Sequence, residues 1–174
     1  MIIEYRSNRV RGIHMRLEID GEFAGIRFSA CHFIAGHQKC GRLHGHTYVV
    51  SMKLHGEMGN DGMVMDFIPL KKELRAIAEE LDHRVLVPAN SKRITLVLGE
   101  EVFIKADGKK YALPKEDVLL LPTEESSAEE LCHYILGKVI EKVEFPSNVK
   151  EVEVGVHEEL GQSAWLSKKL GAKR

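Results

Sequence analysis

Apolar and polar side chains alternate from Phe23 to Phe33, with Ile26, Phe28, Ala30 and His32 on one face and Arg27, Ser29, Cys31 and Phe33 on the other. Successive side chains of a strand point to opposite sides, so this stretch predicts a strand. A loop containing Gly36 and Gly41 follows. The alternation then resumes from His44, with His46, Tyr48, Val50, Met52 and Leu54 on one face of a second strand. After the turn signal Gly59-Asn60-Asp61-Gly62 and a short apolar run, Met63 to Phe67, the apolar spacing lengthens to Leu70, Leu74, Ile77, Ala78 and Leu81. That spacing predicts an amphipathic helix, with Asp66 as its N-cap and Pro69 tolerated in the first turn.

Residues 88–122 read as an insertion with its own hairpin: Ile94 to Leu98 and Val102 to Ala106 are strand-like, and Asp107-Gly108 is a tight-turn dipeptide. Their pattern offers no chemistry. A second helix begins at Ser126 or Ser127, each with a glutamate three residues on as in a capping box. It continues through Leu131, Ile135, Val139 and Val143 until Pro146 stops it. Val149 to Val156 and Ser163 to Ser167 predict two antiparallel strands around Glu158-Glu159-Leu160-Gly161. The expectation is one α+β domain over residues 1–174, ordered strand, strand, helix, helix, strand, strand.

Composition narrows the function classes. Hydrophobic residues make up 44% and charged residues 29%, which argues for a packed globular chain over disorder. The net charge of -1 gives no global attraction toward nucleic acid or an anionic membrane, so any anionic ligand has to be held locally. No apolar run approaches a membrane span, and the opening stretch MIIEYRSNRVRG lacks the apolar centre of a signal peptide, so a cytoplasmic location is expected. Cys31, Cys40 and Cys132 are an odd count without CxxC spacing, which argues against a disulfide framework.

Histidine is the informative residue: His32, His37, His44 and His46 crowd into one short stretch. His44 and His46, at i and i+2 on a strand, project from the same face. If the first two strands pair as an antiparallel hairpin, His32 at the end of one meets His44 at the start of the next. Three neutral imidazoles suit Zn²⁺ and leave a fourth coordination position for water or substrate, the mark of a catalytic site. The alternative is that His44 and His46 are merely half-exposed strand residues and that His32 is a polar end to an apolar face. A cupin also begins with HxH, but it places a glutamate a few residues later, where this chain has Val50 and Ser51. Cys40, in the glycine-containing loop, is either a fourth ligand or a thiolate base, since a thiol beside a cation and an imidazole ionises readily.

The run Cys40-Gly41-Arg42-Leu43-His44-Gly45-His46 resembles the CxxxHGH motif of the 6-carboxytetrahydropterin synthases, relatives of the 6-pyruvoyltetrahydropterin synthases. Phe28-Ser29-Ala30-Cys31-His32, Gly62-Met63-Val64-Met65-Asp66-Phe67, Leu81-Asp82-His83 and Val154-Gly155-Val156-His157-Glu158 match further family motifs in order and spacing. The resemblance implies a tunnelling fold, with a four-stranded antiparallel sheet, two helices on one face and here an inserted hairpin. It also implies homohexamers with active sites between subunits, the zinc and the acidic pterin anchor lying on different chains.

By the same resemblance the substrate is 7,8-dihydroneopterin triphosphate, with His32, His44 and His46 holding zinc and Cys40 removing a C–H proton. His83, oriented by Asp82, would be the second acid/base pair. Glu158 would anchor the pterin, with Glu159 as the alternative, and Ser127 would assist. Lys39 and Arg42 are the nearest candidates for the triphosphate. The product expected is 6-carboxy-5,6,7,8-tetrahydropterin, toward queuosine or archaeosine; the alternatives are a pyruvoyl pterin, or a non-catalytic protein with a closed His₃Cys zinc site. From the residues alone, Asp82-His83 also reads as an ordinary polar helix end, with the histidine favourable toward the helix dipole.

Overall fold

A computed structural model describes residues 14–171. The opening stretch considered above for a signal peptide lies outside them. The central strand β3 (His44–Gly56) is flanked by β2 (Arg27–His32) at its start and by β1 (Met15–Ile19) at its end, while β9 (Val149–Glu159) pairs along its other side and β10 (Gln162–Lys169) follows β9. These contacts are antiparallel. β4 (Arg84–Pro88) and β8 (Val118–Leu121) extend the sheet beyond β2 through parallel pairings, giving seven strands among the described residues.

The four expected strands are therefore present as β2, β3, β9 and β10, inside a larger mixed sheet. β4 and β8 escape a reading by alternation because their sequences, RVLVP and VLLL, are nearly continuous apolar runs. The expected strand at Phe23 also starts later. Asp20 caps a single helical turn α1 (Gly21–Ala24) by accepting from the Glu22 and Phe23 amides, and Gly25 closes it in the left-handed conformation with φ 65°.

Two helices cover one face of the sheet. α2 (Phe67–Leu81) buries Leu70, Leu74, Ile77, Ala78 and Leu81, the residues picked out by the helical spacing, and Asp66 caps it by accepting from the Ile68 amide. α3 (Ala128–Lys142) begins at Ser127, whose side chain accepts from the Glu130 amide, and buries Leu131, Cys132, Ile135, Leu136 and Val139. Against them pack Tyr48, Val50, Met52 and Leu54 of β3 with Val152, Val154 and Val156 of β9. Glu80 joins the helices, accepting from Lys142 at 2.6 Å and from Lys138 at 3.3 Å.

The insertion is larger than a hairpin. β5 (Ile94–Leu98), β6 (Glu101–Ala106) and β7 (Lys109–Pro114) form a separate antiparallel sheet. Its inner face, including Val102, Ile104 and Ala106, packs with Val87 and Phe33 into a second apolar cluster. Phe33 therefore points away from the main core, as its place opposite His32 in the alternation requires.

Candidate active site

Antiparallel pairing of β2 with β3 sets His32 directly across from His44, with Ala30 across from His46. The ring centroids of His32 lie 4.5 Å from His44 and 5.2 Å from His46, and those of His44 and His46 are 5.1 Å apart. One nitrogen from each ring falls within 4.8 Å of the others, a spacing that can close on a single cation. Gly45 permits this close approach, since a Cβ there would meet the Ala30 carbonyl oxygen at 3.0 Å.

Backbone carbonyls hold two of the rings from behind. His32 Nδ1 bonds the Ser126 carbonyl and His44 Nδ1 bonds the Arg42 carbonyl, each at 2.7 Å. A carbonyl can only accept, so both rings carry their proton on Nδ1 and turn a lone pair outward from Nε2. His32 is 2% exposed and its Nε2 is buried without a hydrogen-bond partner. Burial, with His44 and His46 alongside, lowers its pKa to about 4 despite the Ser126 carbonyl, so the ring is neutral at pH 7. A buried, neutral, unpartnered imidazole nitrogen beside two others fits a metal ion by its donor chemistry.

These histidines line a cavity of about 660 Å³ with Lys39, Cys40, Arg42, Ser127, Glu158 and Glu159. The Cys40 thiol lies outside the group of converging ligand atoms. Glu158 is the penultimate residue of β9 rather than part of a turn, and its Oε1 stands 3.9 Å from His32 Nε2 in the same chain. Glu158 and the three histidines thus line one cavity within a single chain. The cause is the long β3–β9 register, which brings the end of β9 alongside the start of β3. Tyr48 lies under the site with its hydroxyl buried and unpartnered; burial, then the nearby Glu158 and Cys31, push its pKa above the usual phenol range.

Asp82 and His83 do not join this group within one chain. Asp82 is the C-cap of α2 and His83 follows with φ 54°, in the left-handed region. Asp82 Oδ1 accepts from the Ser29 amide at 2.6 Å while Oδ2 takes the His83 Nδ1–H at 2.7 Å. Those bonds, the Ser29 amide foremost, hold the Asp82 carboxyl below its usual range. His83 is 84% exposed and lines a second cavity with Cys31, Thr47 and Arg84, at the sheet edge that His46 also reaches and apart from the cavity that holds Cys40 and Glu158. The sequence order gave no sign of this separation, because the packing of α2 decides where its C-terminus lands. Ser126 was also missed as a supporting residue; it acts through its carbonyl, a group every residue carries.

Comparison with known proteins agrees with this architecture. The model of the family described as 6-pyruvoyl tetrahydropterin synthase matches residues 23–169. A Methanocaldococcus jannaschii protein is 38% identical over 163 residues, covering 91% of this chain and 100% of that protein. A Rickettsia bellii protein named 6-carboxy-5,6,7,8-tetrahydropterin synthase is 33% identical over 132 residues, covering 74% of this chain and 89% of its own. The crystal structure of the Plasmodium vivax 6-pyruvoyl tetrahydropterin synthase superposes with a TM-score of 0.84 at 31% identity, over 91% of this chain and 99% of the other. With the tunnelling-fold sheet, the paired strands that gather three imidazoles and a family match over most of its length, the chain belongs to the 6-pyruvoyl tetrahydropterin synthase family of pterin synthases.

Proposed function

We propose that this chain is a zinc-dependent lyase that converts 7,8-dihydroneopterin triphosphate and water to 6-carboxy-5,6,7,8-tetrahydropterin, with triphosphate and a two-carbon aldehyde leaving, a step toward 7-deazaguanine nucleosides such as queuosine or archaeosine. The observation that carries the metal assignment is the His32 ring: Nδ1 is occupied by the Ser126 carbonyl, and Nε2 is buried, unpartnered and beside two further imidazoles. The carboxy product is favoured by the three residues between Cys40 and His44 and by the name of the Rickettsia bellii relative.

When bound at the three histidines, zinc supplies Lewis acidity to the substrate's side-chain oxygens. Cys40, on the wall of the same cavity, takes the proton from the neighbouring carbon. Glu158 accepts hydrogen bonds from the amino and ring N–H groups of the pterin, and its own-chain position beside His32 sets the reach of the site. His83, held by Asp82, serves as the second acid/base group. Its exposure and its distance from the Cys40 cavity of its own chain support a role toward a neighbouring copy in a homohexamer. Ser127 stands at the start of α3, on the wall of the same cavity, where the first amides of a helix lack intrahelical acceptors.

Incubation of zinc-loaded protein with 7,8-dihydroneopterin triphosphate tests this reading. Release of triphosphate with a carboxylated pterin supports it, and a pyruvoyl pterin supports the alternative product. If neither product appears, the enzyme reading is wrong. A closed His₃Cys structural site is disfavoured because the Cys40 thiol does not converge with the three nitrogens. Among the described residues no helix is long and apolar enough to cross a membrane; a cytoplasmic location belongs to the proposal.

A further inference from the structure

The insertion grips the loop that carries Cys40 at three backbone positions. Arg93 Nη1 donates to the Ala35 carbonyl at 2.9 Å, the Gly36 amide donates to Asp107 Oδ2 at 2.6 Å, and Lys109 Nζ donates to the Gly41 carbonyl. Each contact pairs a charged side chain with a backbone group, the stronger class of hydrogen bond. Inside this grip the loop folds on itself: the Ile34 amide donates to the Cys40 carbonyl at 2.7 Å, the Gly41 amide to the His37 carbonyl at 2.9 Å, and the Cys40 amide to His37 Nδ1 at 3.0 Å.

The approach is close. Gly36 has φ 85°, and a Cβ built there would lie 1.9 Å from Arg93 Nη1, so the guanidinium sits flush against the loop backbone. Asp107 at φ 50° and Gly108 at φ 77° form the tight turn between β6 and β7 that delivers the carboxylate. Beneath the polar contacts, Phe33 stacks on Tyr111 with ring centroids 5.6 Å apart. The braced segment lies between His32, whose anchor at the Ser126 carbonyl is outside the loop, and His44, whose anchor at the Arg42 carbonyl adjoins the gripped Gly41.

We propose that Arg93, Asp107 and Lys109 are positioning residues for Cys40, the inserted sheet acting as a brace that fixes the thiol within the cavity while the β2–β3 register and the Ser126 carbonyl hold the histidines. The inference rests on the reading of Cys40 as the base. Proton abstraction requires a base held in register with its carbon, and a displacement near 1 Å costs on the order of 100-fold.

Two substitutions isolate the brace. Asp107→Gly keeps the left-handed turn and removes the acceptor, whereas Asp107→Asn keeps both, because asparagine tolerates that backbone region and its side-chain oxygen accepts. Lys109→Met deletes the ammonium and keeps the stem. The expected result is that Asp107→Gly and Lys109→Met lower kcat at least about tenfold with KM and zinc content within about twofold, and that Asp107→Asn restores kcat. Amide hydrogen exchange of segment 34–41 should rise in the two deletion variants and not in Asp107→Asn.

Unchanged exchange in that segment overturns the brace, and faster exchange with unchanged kcat overturns its positioning role. Loss of zinc together with kcat also overturns it, by moving the effect to the metal ligands. Absence of turnover in the unaltered zinc-loaded chain counts against the proposed reaction instead, and the exchange measurement still reports on the brace.

Discussion

His32 and Ser126, 94 residues apart in sequence, are bound through the Nδ1–H of the ring and the carbonyl oxygen at 2.7 Å. The Ser126 hydroxyl also donates to the neighbouring Phe33 carbonyl at 3.0 Å, so the segment leading into α3 holds the end of β2 at two points. Because the bond to the ring uses the Ser126 backbone, Ser126→Ala should leave zinc bound while costing about 1 kcal/mol of stability from the lost hydroxyl bond. His44→Ala leaves two imidazoles and should drop zinc to under about a tenth of stoichiometric. Metal analysis beside thermal denaturation separates the two effects, and equal zinc loss in both variants would count against this division of roles.

Cys40→Ala should abolish turnover, by about 100-fold or more, with zinc content unchanged. Its thiol is outside the converging nitrogens, so zinc retention should not depend on it. Steady-state kinetics with metal analysis checks both halves.

His83→Ala should be inactive alone, and so should Cys40→Ala. If each site draws Cys40 from one copy and His83 from the next, mixed hexamers of the two variants regain up to about a quarter of the wild-type activity, since that share of interfaces pairs an intact Cys40 with an intact His83. No recovery after verified subunit exchange would show that the two groups do not meet across an interface.

The Asp82 carboxyl titrates below its ordinary 3.8, chiefly because it accepts the Ser29 amide and also holds His83. A carboxyl whose folded-state pKa is depressed contributes stability above its unfolded pKa and loses it as pH falls through the folded value. Asp82→Ala should lower Tm by about 2–4 °C at neutral pH. The difference from wild type should stay constant above pH 5 and narrow below about pH 3.8, as calorimetry across that range would show.

Trp165 covers β9 at Gly155, where an added Cβ would come within 2.5 Å of the indole, and Lys53 Nζ sits 3.6 Å from the ring centroid on the other strand. Gly155→Ala should therefore displace the indole and destabilise the protein by about 1–3 kcal/mol, measured by denaturant unfolding. Trp165 fluorescence should shift to the red as the ring gains solvent.

Periodicity made the core elements legible. The apolar positions of β3, α2 and α3 could be read one by one because half-buried strands and helices write their burial into the spacing of their side chains. It was uninformative for β4 and β8, where both faces are covered, and for β1, a short strand whose pairing with the far end of β3 only the tertiary register reveals. The histidine trio was legible because strand alternation and hairpin pairing are local rules. The separation of Asp82 and His83 from that trio was not, since it follows from how α2 lies on the sheet. Asp107 was recognised as a turn residue, but its bond to Gly36 spans 71 positions and leaves no local trace.

The parallel pairing of β4 with β8 bears on any attempt to shorten the chain. Two strands that run in the same direction cannot be joined by a tight turn, because the polypeptide has to travel back along their length before the second begins. The small sheet between them is thus also the return path. A minimised protein that joins Ala89 directly to Val118 would have no covalent route that preserves this pairing, and it would have to give up β8 or build another crossing of similar span.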